Sequence, residues 1–156
     1  MHRIKQLTPA SNVGHPRYAQ VHAKFLLWKL PYERVAYYDL DVIVKRPASR
    51  CSDLCPSEKD LCAVKDTIAM GLLGKSRDDV YFNSGVLILT PSLQTFRRLR
   101  RQAIDGNRFA DQDALNRAFK DQWHELPPAC NWHVSDRESG AALGDASVWN
   151  VHAHKF

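Results

Sequence analysis

The run Arg34-Val35-Ala36-Tyr37-Tyr38-Asp39-Leu40-Asp41-Val42-Ile43-Val44 sets two carboxylates among β-branched and aromatic residues. Such a run reads as a buried strand. In open α/β sheets, ligands bind just beyond the carboxyl ends of the strands. Residues at i and i+2 of an extended segment point to one side, so Asp39 and Asp41 are expected to face together. Two like charges this close are costly to bury without a cation between them. The pattern therefore points to a hard divalent ion, Mn²⁺ or Mg²⁺, carrying a phosphorylated substrate on oxygen ligands. The same triplet also reads as the end of a strand and the start of a turn, where Asp is common.

A chain of 156 residues has room for one domain with a real core. No apolar stretch reaches transmembrane length, and Met1 to Leu7 contains no signal-like apolar run. The expectation is a cytoplasmic protein, or a Golgi or secretory-lumen one if the true start lies upstream. The net charge of +5 favours acidic partners such as nucleotides or sugar phosphates. Arg97-Arg98-Leu99-Arg100-Arg101 reads as the wet face of a helix. It has no interleaved aromatics, and the chain has no Walker-type loop, so nucleic acid is not an expected partner. Cys51, Cys55, Cys62 and Cys130 lack the paired spacing of a structural zinc site. They are expected to be free thiols, with disulfides only in a secreted or luminal chain.

Tyr18, Val21, Phe25 and Trp28 form one apolar stripe, predicting a helix over 17–30 that Pro31 ends. Leu61 to Val64 and Ser84 to Thr90 read as strands, with loops over 47–59 and 65–80. Thr90-Pro91 is expected to open a helix, with Thr90 as cap, Leu93, Phe96, Ala103 and Ile104 on its apolar side and Gly106 as its stop. Asp111 reads as the cap of a second helix bearing Ala114, Leu115, Ala118 and Phe119. A last strand over 147–151 delivers His152, with His154 as a second imidazole facing the same way. Strands alternating with helices argue for an α/β fold with an at least partly parallel sheet.

Several segments fall in the order of one family. Lys24-Phe25-Leu26-Leu27-Trp28, the D-x-D strand, Phe82-Asn83-Ser84-Gly85-Val86, Asp111-Gln112-x-x-Leu115-Asn116, Leu126-Pro127 with Asn131, and Val151-His152 together resemble glycosyltransferase family 8, the glycogenin and galactinol synthase group. The resemblance covers about residues 17–155. It implies a GT-A-type, Rossmann-like nucleotide-diphospho-sugar transferase fold and retaining transfer of a hexose from a UDP-sugar. The acceptor would be a carbohydrate, a polyol or a protein. It implies Mn²⁺ (or Mg²⁺) held by Asp39, Asp41 and His152. Lys24, Asn83, Ser84 and Gly85 would bind substrate, and Asp111 and Gln112 would be catalytic. Asp111 would either orient the transferred sugar or attack it. The family carries a Lys on the diphosphate after its His; Lys155 stands nearest to that role, at shorter spacing.

The family's nucleotide-binding portion before Lys24 does not fit in residues 1–16. The expectation is one partial catalytic domain over 1–156, N-terminally truncated, with exposed strand edges and weak nucleotide affinity. Two alternatives share some of these residues. A non-catalytic sugar- or nucleotide-binding remnant would share every motif. A haloacid dehalogenase-type phosphohydrolase would use Asp39 as nucleophile, Asp41 as acid/base and Asp78-Asp79 as its later acidic pair. Each candidate also has an ordinary reading: Lys24 as a solvated helix lysine, Asn83-Ser84-Gly85 as a turn, Asp111 as a helix cap and His152 as a hydrogen-bonded surface residue.

Overall fold

The computed structural model describes residues 21–66, 80–102, 110–133 and 150–152. Its strands are β1 (Val35–Tyr38), β2 (Val42–Val44), β3 (Leu61–Lys65), β4 (Phe82–Leu89), β5 (His124–Glu125), β6 (Trp132–His133) and β7 (Asn150–His152). One sheet has the order β1-β4-β3-β5 and the other β2-β7-β6. β4 lies inside the first sheet and every one of its residues is buried. That explains its near-continuous apolar run from Val86 to Leu89, since neither face meets water.

The first sheet is mostly antiparallel: β4 pairs antiparallel with both β1 and β3. Only β5 runs parallel to its neighbour β3, and helices intervene between those two strands in the chain. Parallel pairing needs such a crossover, so the expected parallel character is confined to places where the connection is long enough.

Alternation along β3 separates two cores. Leu61 and Ala63 face a cluster with Phe25, Trp28, Leu99 and Phe119, where the helices cover the sheet. Cys62 and Val64 face the opposite side, with Ile88, Leu126 and the other three cysteines. On the helical side, the Trp28 and Phe119 rings stack with centroids 5.6 Å apart. Replacing Phe119 by Ala would cost about 3–5 kcal/mol from lost contacts and the cavity left behind.

The first helix, Val21–Lys29, is of the 3-10 type. Residues at i and i+3 eclipse in that geometry, so Phe25 and Trp28 line up on the buried side. The next helix is α2 (Leu93–Gln102), after the short α1 (Ser49–Ser52). Ser92, not Thr90, caps α2: its Oγ accepts the Thr95 N–H at 3.3 Å and its carbonyl accepts the Phe96 N–H at 2.9 Å. Thr90 instead bonds back to the residues before β3, its N–H donating to Asp60 O at 3.0 Å. Phe96 and Leu99 are the buried side of α2, and Leu93 at its first position is exposed. The last described helix, α3 (Ala110–Ala118), buries Ala114, Leu115, Ala118 and the following Phe119 as expected. Ala103, Ile104, Gly106, Asp78, Asp79, His154 and Lys155 lie outside the described residues.

Two further expectations are corrected. The D-x-D segment is not one extended strand. β1 ends at Tyr38 and the Val42 N–H donates to Asp39 O at 3.0 Å, closing a turn before β2, which belongs to the other sheet. Leu40 at the tip is fully exposed. The cysteines are not free thiols: Cys51 pairs with Cys130 and Cys55 with Cys62. The physical reason is proximity. α1 and the residues just after it bring Cys51 and Cys55 to the side of the sheet that Cys62 faces, where Cys130 also packs, with Cα–Cα separations of 5.8 Å in both pairs.

Candidate functional site

The site begins with a break in β4. Ala63 pairs with Leu87, but the next residue, Val64, pairs with Asn83. The register thus passes over Ser84, Gly85 and Val86, as at a β-bulge. Their backbone groups turn to other partners. Ser84 N–H donates to Gln112 Oε1 at 2.9 Å, and Gly85 N–H donates to Asn83 Oδ1 at 2.8 Å. Gly85 O accepts the Asp39 N–H at 2.8 Å, which fixes the first aspartate of the turn against the bulge.

α3 is docked onto the same stretch through the spacing of its own polar residues. Gln112 and Asn116 lie four apart, one turn along a single face. Asn116 Oδ1 accepts the Phe82 N–H at 2.8 Å and its Nδ2 donates to Phe82 O at 2.9 Å. Asp111 sits inside the first turn of α3, where a carboxylate suits the positive helix end. It is buried; its Oδ1 accepts the Gln112 N–H at 2.9 Å and its Oδ2 faces Lys24 at 2.8 Å.

Lys24 is no solvated helix lysine. Its ammonium also reaches Asp39 Oδ2, Ser84 O and Ser84 Oγ, each at 3.1 Å. One cation therefore ties the 3-10 helix to the D-x-D turn, the bulge and α3. Asp39 Oδ1 accepts a 2.6 Å hydrogen bond from the Tyr37 hydroxyl. That phenol is held well above the ordinary tyrosine range, first by burial and then by its bond to Asp39. The charges of Asp39, Asp111 and Asp41 all act on it in the same direction.

A second polar group adjoins the first. Buried Asp66, directly after β3, accepts Asn83 Nδ2 at 3.0 Å and Gln112 Nε2 at 2.9 Å on one oxygen. Buried Asn131 donates to Asn83 Oδ1 at 2.8 Å. The ends of β1, β3 and β4 and the start of α3 thus bring Lys24, Asp39, Asn83, Ser84, Gly85, Asp111 and Gln112 together. Asp66 was missed as a site residue, yet its signal resembles that of Asp39: an acid at the end of an apolar strand. Asn131 was seen only as part of a motif. Of His152 the structure describes the backbone. It pairs with Val42, the residue after Asp41, and with His133 on β6. Among the described residues no group of three acidic, His or Cys side chains is assembled as a metal-binding set.

A family model described as glycosyl transferase family 8 matches residues 7–148. The chain belongs to glycosyltransferase family 8. Glycosyltransferase GlyD of Streptococcus pneumoniae is 28% identical over 138 residues, spanning 80% of this chain and 15% of that protein. UDP-glucuronate:xylan alpha-glucuronosyltransferase 2 of Arabidopsis thaliana is 30% identical over 114 residues, spanning 71% of this chain and 16% of that one. Among solved structures, the galactosyltransferase LgtC in complex with donor and acceptor sugar analogs superposes with a TM-score of 0.64 at 20% identity, covering 94% of this chain and 62% of LgtC. These neighbours place the family 8 chain in the GT-A fold. It spans less than two thirds of the length of each. The family match ends before Val151, His152 and Lys155, and it replaces the phosphohydrolase alternative as the frame for the D-x-D turn.

Proposed function

We propose that this family 8 chain, over residues 1–156, forms part of a single catalytic domain that transfers a hexose from a UDP-sugar to a carbohydrate, polyol or protein acceptor with retention. The observation that carries this reading is the Lys24 ammonium shared between Asp39 and Asp111, beside a network of amide side chains. An ammonium and paired carboxylates at strand ends suit a charged diphosphate and its metal. The amides of Asn83 and Gln112, which offer both donors and acceptors, suit sugar hydroxyls. The relative named UDP-glucuronate:xylan alpha-glucuronosyltransferase 2, whose donor is a UDP-sugar, supports the same donor class.

In this reading Asp39, Asp41 and His152 hold Mn²⁺ or Mg²⁺. The donor set, two carboxylates and an imidazole, fits the type of ion. The β2–β7 register, which sets His152 beside the residue after Asp41, supports the grouping. The metal would neutralise charge on the leaving diphosphate. Lys24, Ser84, Gly85 and Lys155 serve the donor, and Asp111 and Gln112 stand at the transferred sugar.

Calorimetric titration of UDP into the purified chain, with and without Mn²⁺, tests the proposal alongside Asp41→Asn. Metal-dependent binding that the variant loses supports it. Binding indifferent to both overturns the metal site. Binding of UDP-sugars without turnover would favour a non-catalytic binding protein.

A further inference from the structure

All four cysteines meet in one buried cluster on the sheet face opposite the helices. One of the two disulfides reaches toward the polar site. Cys130 closes the short 3-10 turn Pro128–Cys130, and the next residue is Asn131. Asn131 donates to Asn83 Oδ1, the same oxygen that accepts the Gly85 N–H. With its oxygen held there, the Asn83 amide presents its nitrogen to Asp66. A continuous path therefore runs from Cys51 through the disulfide and one peptide unit to Asn131, Asn83 and the bulge. Cys55–Cys62 joins the segment after α1 to β3 and does not adjoin Asn131, reaching Asn83 only through the paired strand.

We propose that Cys51–Cys130 is a positioning disulfide: it holds Asn131 against Asn83 and so fixes the amide cluster of the candidate sugar site, in a chain matured in an oxidising compartment. The assignment of that cluster to a sugar rests on the proposed function; the positioning does not. In forming the bond, one cysteine thiolate attacks a disulfide-class oxidant, giving a mixed disulfide. The second thiolate displaces it, and the oxidant leaves as two thiols, having taken two electrons and two protons. An external dithiol reverses the exchange. Pairing all four cysteines favours a secreted or luminal chain over the cytoplasmic expectation.

The test starts with the full chain made in an oxidising host. Peptide mapping without reductant is expected to find Cys51 linked to Cys130 and Cys55 to Cys62. Four alkylatable thiols in cooperatively folded protein would overturn the proposal. Hydrogen exchange at the Gly85 amide then separates positioning from general stapling. The C51A/C130A variant is expected to speed it at least about tenfold relative to C55A/C62A, because the acceptor on Asn83 is no longer held. Asn131→Ala, with both disulfides intact, is expected to do the same, and it decides the question if C51A/C130A does not fold. Unchanged exchange in folded C51A/C130A, or in Asn131→Ala, sinks the idea. If UDP with Mn²⁺ fails to bind the oxidised wild type, the functional reading falls while these exchange results still judge the disulfide.

Discussion

Lys24 and Asp111 meet at 2.8 Å between Nζ and Oδ2, with side chains only 12% and 10% exposed. The pair joins the first described helix to α3 across the open ends of β1 and β4, and Asp39 shares the ammonium. Removing the cation would strand two carboxylates in a poorly solvated place. Lys24→Met should therefore destabilise the fold by about 3 kcal/mol. In a double-mutant cycle with Asp111→Asn, urea denaturation should give a coupling energy of about 1–3 kcal/mol. Additive single effects would mean the two groups do not act as a pair.

Asp66 receives two side-chain donors on one oxygen, from Asn83 and Gln112. Asp66→Asn keeps the shape but replaces a charged acceptor by an amide. The expected cost is about 1–3 kcal/mol in thermal or urea unfolding. If the cluster binds the sugar, UDP-glucose should lose affinity in this variant while UDP does not. Equal losses for both ligands would place Asp66 outside the sugar pocket.

Two phenols, partly buried Tyr37 and buried Tyr81, are expected to weaken the fold at alkaline pH. Burial raises both hydroxyls first, followed by the hydrogen bonds from Tyr37 to Asp39 and from Tyr81 to Asp113. Below about pH 10 both the folded and unfolded chains keep these protons. Above that, the unfolded chain releases them first, so stability should fall as pH rises. Tyr37→Phe and Tyr81→Phe should each flatten the decline. Tyrosinate absorbance rising at ordinary pH in folded protein, with all tyrosines titrating together, would contradict the prediction.

The two disulfides close loops of very different size, with sequence separations of 79 and 7. On the chain-entropy account, losing Cys51–Cys130 should cost about 4–5 kcal/mol and losing Cys55–Cys62 about 2. Denaturant midpoints of the two paired Ala variants check the order. A larger loss from the short loop would point to native-state packing rather than loop closure.

Strands and helix faces were legible where periodicity is local. The apolar runs of β3 and β4 and the buried side of α3 follow directly from residue order. So do the family motifs, because Gln112 and Asn116 at helical spacing both address β4. The D-x-D segment misled because Leu40 is apolar. It hides the turn tip inside what reads as one strand, although the chain changes sheets there. Thr90 and Ser92 are both competent caps, and the choice depends on where the strand before them ends. The cysteine pairs were beyond reach, since Cys51 and Cys130 become neighbours only after the sheet forms. Asp66 was within reach by the logic applied to Asp39. The polar residues that follow it drew attention to a loop rather than to a strand end.

The bulge at Ser84-Gly85 leaves the central strand dependent on side chains for bonds that a neighbouring strand would otherwise supply. Gln112 and Asn83 complete the strand's own main-chain bonding. Under the proposed function, substitutions at these two positions would disturb the strand and the sugar site together. A replacement there must keep an acceptor at the same reach to leave that bonding intact. Under the same proposed function, a descendant that lost activity would still need both side chains for its sheet.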